Sequence, residues 1–137
     1  MVIDFKLLET CGIKDFLDGF DHAVVVPSGD DLVPIIDRVN PDRHLIVPFL
    51  PTAEMIAKAC FEVCSAILSA YTEPRGPAAH ITAVRVYETV RGAAEYGLSD
   101  VEGDQFPAVD LSRWVVSAQI KEQWQASPAL AQLLSGT

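Results

Sequence analysis

The chain has 137 residues, half of them hydrophobic, enough for one globular domain with a real core and too few for two ordinary ones. Ten Lys and Arg against nineteen Asp and Glu give a formal charge of −9, so the overall field repels polyanions and argues against nucleic acid or an anionic membrane as the main partner. Three cysteines without a CxxC fit reduced thiols, and there is neither a signal-peptide pattern nor an apolar run near the ~20 residues of a membrane span; a cytoplasmic protein is expected.

In chain order, Met1 to Phe5 reads as the end of a strand. Asp4 is placed to cap a helix with Leu7, Leu8, Cys11, Phe16 and Leu17 as apolar positions, weakened at Gly12 and ended at Gly19. Phe20-Asp21-His22-Ala23-Val24-Val25-Val26 enters an extended run. The turn cluster Pro27 to Asp31 leads into a short helix from Leu32 to Val39, and His44 to Phe49 is again extended. Thr52 caps the longest helix, with Glu54 in its first turn and Ile56, Cys60, Val63 and Ile67 along one face. It ends before Pro74-Arg75-Gly76-Pro77.

His80 to Thr89 forms a strand with Thr82, Val84, Val86 and Glu88 on one face and Arg85 and Tyr87 on the other. Val90-Arg91-Gly92 connects it to an antiparallel strand, Ala93 to Tyr96. Gly97 to Pro107 is an acidic linker or surface loop. Beyond it, Asp110 or Ser112 caps a helix running through Trp114, Val115, Ala118 and Gln123. Ser127-Pro128 opens a final helix stopped by Gly136. Residues 1–96 are expected to form the core, and 97–137 a linker with a C-terminal helical extension.

Four sets of residues carry chemistry, each with two readings. Glu88 continues an apolar strand face, so its carboxylate needs a partner. That partner is either Arg85 or Arg91 in an ion pair, or a planar heterocycle whose adjacent N–H groups it accepts in parallel. Asp21 and His22 are either an ordinary polar loop or an acid that fixes an imidazole's tautomer for general-base work, and the two side chains meet only if the backbone turns there. Cys60 and Cys64, four apart on a helix, are a metal half-site or buried thiols. His44 and His80 read as structural, and three scattered histidines without HxH or HxxxH spacing make no zinc site.

The order MVIDF, FDHAVVV, LPTAE opening a long helix, VRVYET on a strand and AAEY closing the core resembles the 6-pyruvoyl-tetrahydropterin synthase and 6-carboxytetrahydropterin synthase family. The resemblance runs from Met1 to about Tyr96. It implies an α+β tunnelling-fold subunit with an antiparallel sheet on two helices. Such subunits assemble as trimers or dimers of trimers that bind a pterin-like molecule between them. By resemblance Glu88, in Val86-Tyr87-Glu88-Thr89, anchors the pyrimidine of the substrate, and Thr52 lines the same pocket. Phe20-Asp21-His22 matches the family's Leu-Asp-His motif, whose acid and imidazole assist a cysteine in proton transfer.

The chemistry so implied is that of a zinc lyase acting on 7,8-dihydroneopterin triphosphate, in pterin or in deazapurine (queuosine) biosynthesis, the queuosine branch being preferred. The family's zinc histidines and catalytic cysteine precede the motif matched by MVIDF. None of Cys11, Cys60, Cys64, His44 or His80 stands in a matching position. The expectation is therefore a member lacking the N-terminal zinc-binding hairpin, with no metal ligands and not active alone. It would need a homo-oligomer or a partner chain to complete the sheet. Two alternatives stand beside it: a non-catalytic pterin-binding or regulatory subunit, and a structural oligomerisation module.

Overall fold

A computed structural model describes residues 11–72, 80–87 and 92–136, apart from the side chains of Tyr71 and Thr72. The helices are α1 (Ile13–Asp18), α2 (Ile36–Val39), α3 (Ala53–Thr72), α4 (Ala118–Gln125) and α5 (Pro128–Ser135). The strands are β1 (Val24–Pro27), β2 (His44–Val47), β3 (Ala83–Tyr87), β4 (Ala93–Gly97) and β5 (Val115–Val116). Helices with small sheets place the chain in the α+β class. The strand expected at Met1 to Phe5, the cap at Asp4, the break at Pro74 to Pro77, and Glu88, Val90 and Arg91 lie outside the described residues. Among the described residues no helix is long and apolar enough to cross a membrane.

The chain forms two compact units, one built on Thr52–Val109 and a second made from Val2–Pro51 together with Asp110–Thr137. In the first, Thr52 caps α3 as its sequence suggests: its Oγ1 accepts the amide of Met55 at 3.2 Å. The face of α3 carrying Cys60, Val63, Cys64, Ile67 and Leu68 is buried. Complete burial of Ile67 and Leu68 contributes about 1.5–3 kcal/mol each.

Strands β3 and β4 pair antiparallel, with Val84 opposite Tyr96, Arg85 opposite Glu95 and Val86 opposite Ala94. The alternation read from the sequence holds: Val84 and Val86 are half-buried, while Ala83, Arg85 and Tyr87 are exposed. The pair packs on α3. The acidic stretch after Gly97 is a loop tied down by its own carboxylates, beginning with Asp100, which accepts the Gly97 amide at 2.8 Å.

In the second unit, β2 is the centre of a sheet of order β1, β2, β5, parallel to β1 and antiparallel to β5. This sheet is absent from the single antiparallel sheet expected. All four residues of β2 are buried, and Val26, Ile36 and Ile46 form a small core on it. The helix expected through Trp114 and Val115 is corrected. Asp110 does act as a cap, accepting the Ser112 amide at 3.1 Å, but for a single 3-10 turn over Leu111–Arg113. The β-branched Val115 and Val116 then pair with β2, and α4 starts only at Ala118.

Of the helix drawn across Gly12, the part before Cys11 lies outside the described residues. Gly12 has φ +107°, and a Cβ there would stand 2.2 Å from Ser127 Oγ, so the described helix begins at Ile13. Fully buried Phe16 and Trp124 meet at a ring separation of 5.0 Å. The Trp124 indole N–H donates to the Asp15 carbonyl at 2.9 Å. The final helix, α5, opens on Pro128 and ends at Gly136 with φ +79°, as its sequence indicates. Gly97 to Val109 belong to the same compact unit as α3, and Asp110 onward to the unit of the residues before Thr52.

Candidate functional site

After α1 the chain turns through Gly19 to His22, with the Asp21 amide on the Asp18 carbonyl at 3.0 Å and the Ala23 amide on the Phe20 carbonyl at 3.2 Å. His22 has φ +58°, and among the described residues it is the one non-glycine with positive φ. That conformation is uncommon for a residue with a Cβ, and histidine tolerates it better than most. It breaks the alternation that would send neighbouring side chains to opposite faces. Asp21 Oδ1 accordingly stands 3.7 Å from His22 Nε2, longer than a hydrogen bond and within ion-pair reach. Both side chains are open to solvent, Asp21 at 75% and His22 at 87%. A carboxylate on one side of an imidazole can orient the ring and leave the other ring nitrogen facing a ligand.

The remaining residues singled out by sequence divide clearly. Thr52 uses a lone pair of its hydroxyl on Met55, which leaves the hydroxyl proton as a donor. Glu88 lies outside the described residues. Arg85, one of its candidate partners, meets Glu95 across the strand pair at 3.5 Å. His44 is buried with Nδ1 2.8 Å from the Asn40 carbonyl, a structural role, and His80 is exposed. Cys11, Cys60 and Cys64 are buried, and none is in a disulfide. Burial pushes the Cys60 thiol up to about 12, which leaves almost no thiolate near neutrality.

A second constellation, in the first unit, escaped sequence reasoning. Lys58 interrupts the apolar face of α3 and is 4% exposed. Its ammonium reaches Glu62 Oε2 at 2.9 Å and makes a short ion pair with Asp104 Oδ2. Tyr96 donates its hydroxyl to the same Asp104 oxygen at 2.7 Å and lies with its ring centroid 5.4 Å from the ammonium. The second oxygen of Asp104 accepts the Phe106 amide at 2.8 Å.

Burial works to lower the Lys58 pKa, but the hydrogen bonds to Asp104 and Glu62 overcome it and hold the amine charged above its usual range. The bonds from Lys58, Tyr96 and the Phe106 amide hold the Asp104 carboxyl down at about 2. Burial, with the hydrogen bond to Asp104, raises Tyr96. Beside the network lies a cleft of about 510 Å³ lined in part by Glu54, Met55, Lys58, Tyr96, Asp104 and Phe106. A lysine kept this firmly protonated acts through its charge and does not serve as an amine nucleophile. The signal available in the sequence was the Glu54, Lys58, Glu62 spacing of four on a helix. Nothing local pointed to Asp104.

Zinc chemistry needs donors that converge. Among the described residues no three His, Cys, Asp or Glu side chains come together as a metal site: His22 sits on an exposed turn and His44 is bound to a carbonyl. The described residues do not fit the metal. Residues 1–98 match the family model described as 6-pyruvoyl tetrahydropterin synthase. A comparison with curated proteins gave no match.

Proposed function

Because the chain belongs to the 6-pyruvoyl tetrahydropterin synthase family, we propose that it binds a pterin of the 7,8-dihydroneopterin triphosphate class. It would serve the 6-carboxytetrahydropterin synthase type of lyase reaction, in queuosine or pterin biosynthesis. The observation that carries this reading is the approach of Asp21 to His22 at 3.7 Å, in the Phe20-Asp21-His22 stretch that resembles the family's Leu-Asp-His motif. In the proposed reaction Asp21 orients the imidazole and His22 moves a proton at substrate carbon. Glu88 accepts the N–H groups of the pyrimidine, and the Thr52 hydroxyl donates within the same pocket.

No step is routed through zinc, since the described residues gather no ligand set. The same mismatch, with a Cys60 thiol held near 12, favours a second reading in which the chain binds the pterin as a non-catalytic or regulatory subunit. Either way the subunit adopts the tunnelling fold in the cytoplasm. Association with copies of itself as a trimer or dimer of trimers, or with a chain supplying a further hairpin, completes its sheet.

Titration with a dihydropterin, followed by its fluorescence, tests the anchor. Binding to the native chain and a loss of tenfold or more with Glu88→Gln is the expected result. Equal affinity in both proteins, or none in either, would sink the assignment. Metal analysis of the purified oligomer separates the readings, with stoichiometric zinc supporting the lyase and substoichiometric zinc the binding subunit.

A further inference from the structure

Asp21 and His22 are both exposed, so no burial of their own side chains holds them together. What holds them is the main chain of the turn: beside the turn's own amides, the side-chain donors to its carbonyls come from one short segment, Asn40 to Arg43. Arg43 Nη2 lies 2.7 Å from the Asp18 carbonyl, 3.3 Å from that of Gly19 and 2.9 Å from that of Asp21. Its Nε adds a second bond to the Asp21 carbonyl at 3.1 Å. Asn40 Nδ2 donates to the His22 carbonyl at 3.2 Å, and Asn40 Oδ1 accepts the Arg43 amide at 3.1 Å.

We propose that Arg43 is the positioning residue of the Asp21 and His22 pair: its guanidinium gathers the carbonyls of Asp18, Gly19 and Asp21 and so holds the turn that brings carboxylate and imidazole together. The proposal rests on the reading of that pair as the working acid and base of the chain. A left-handed backbone at a residue with a Cβ persists only where its surroundings over-determine it. Here the surroundings are a planar fork of donors that a point-charge ammonium cannot reproduce. The fork stands on a rigid base. The Arg43 carbonyl accepts the Val24 amide at 2.9 Å, next to the parallel register that sets Val24 beside His44. Nη1 is steadied by Gln119 Oε1 at 3.3 Å. The guanidinium also places positive charge at the C-terminal carbonyls of α1, where it is favoured.

The test is a double-mutant comparison read at the imidazole itself. The ring resonances of His22 are recorded by NMR at neutral pH in the full chain, with and without Asp21→Asn, and the displacement this causes measures the coupling of the pair. The same displacement is then measured in Arg43→Ala. It is expected to fall to less than about half its native size. Gln119→Ala, which leaves the bonds to the turn in place, should preserve it. An undiminished displacement in folded Arg43→Ala overturns the proposal, as does the absence of any displacement in the native chain. If Arg43→Ala shows no cooperative melt, Arg43→Lys, which keeps the charge and most of the stem, is judged by the same threshold. No pterin enters the measurement, so failure of pterin binding and failure of Arg43 to position the pair are read separately.

Discussion

Tyr96 donates to Asp104 across 2.7 Å while Lys58 holds the same carboxylate oxygen from the helix. The acidic loop is thereby fastened to α3 through a group whose ionisation can be followed. The Asp104 carboxyl lies at about 2 in the folded chain against an ordinary 3.8. A depressed acid contributes stability that is complete above its unfolded value and disappears as pH falls through the folded one. The first unit is therefore expected to lose stability between about pH 4 and pH 2. Urea melts across that range should show the slope, and Asp104→Asn should flatten it while lowering stability at neutral pH. A slope as steep in the variant as in the native chain would refute the role of this carboxylate. Lys58→Met, which leaves Asp104 and Glu62 facing each other without a cation, should cost about 1–3 kcal/mol.

Gly19 and Gly29 predict opposite outcomes for the same substitution. A Cβ on Gly19 would stand 2.5–2.7 Å from the Trp124 indole, whereas one on Gly29 meets nothing within 4 Å. Gly19→Ala should destabilise by about 1–3 kcal/mol as the indole is pushed off Phe16. Gly29→Ala should fall within about 0.5 kcal/mol of the native chain. Thermal melts followed by tryptophan fluorescence distinguish them, and equal effects would contradict the packing described.

The three cysteines should behave as core side chains. With Cys60 held near 12, its thiolate at neutral pH is roughly one part in 100,000. An aromatic disulfide reagent should label the folded chain far more slowly than the unfolded one, in which all three thiols titrate at once. Rapid labelling of Cys60 in the folded state would overturn its burial.

Thr52 separates a cap from a pocket contact. Thr52→Val removes the acceptor for the Met55 amide and should cost about 1 kcal/mol, while Thr52→Ser keeps it and should cost much less. If Thr52→Ser matches Thr52→Val in denaturant melts, the side-chain cap is not what stabilises the start of α3.

How far these features could be read from the sequence depended on how local their causes are. The start of α3, the faces of β3 and its pairing with β4 follow from a capping threonine, a helical period and a two-residue alternation, all written within a few positions. The turn at Asp21 and His22 could be posed only as a condition, because a left-handed histidine has no sequence signature. Val115 and Val116 looked helical beside Trp114. Their strand exists through β2, about seventy positions away, and no window along the chain contains that partner. Lys58 and Asp104 are separated by 46 positions, and an acidic stretch read by composition alone does not say which of its carboxylates turns inward.

The order in which the two units' segments follow along the chain has a consequence for synthesis. Thr52–Val109 is continuous in the chain, so its helix and hairpin can close while later residues are still being made. The other unit is interrupted by that whole stretch, and its sheet is finished only when Val115 and Val116 reach Leu45 and Ile46. Until then the apolar strand His44–Val47, paired on one side alone, waits with an open edge. That makes the nascent chain most vulnerable to misassociation during the time it takes to translate the residues in between.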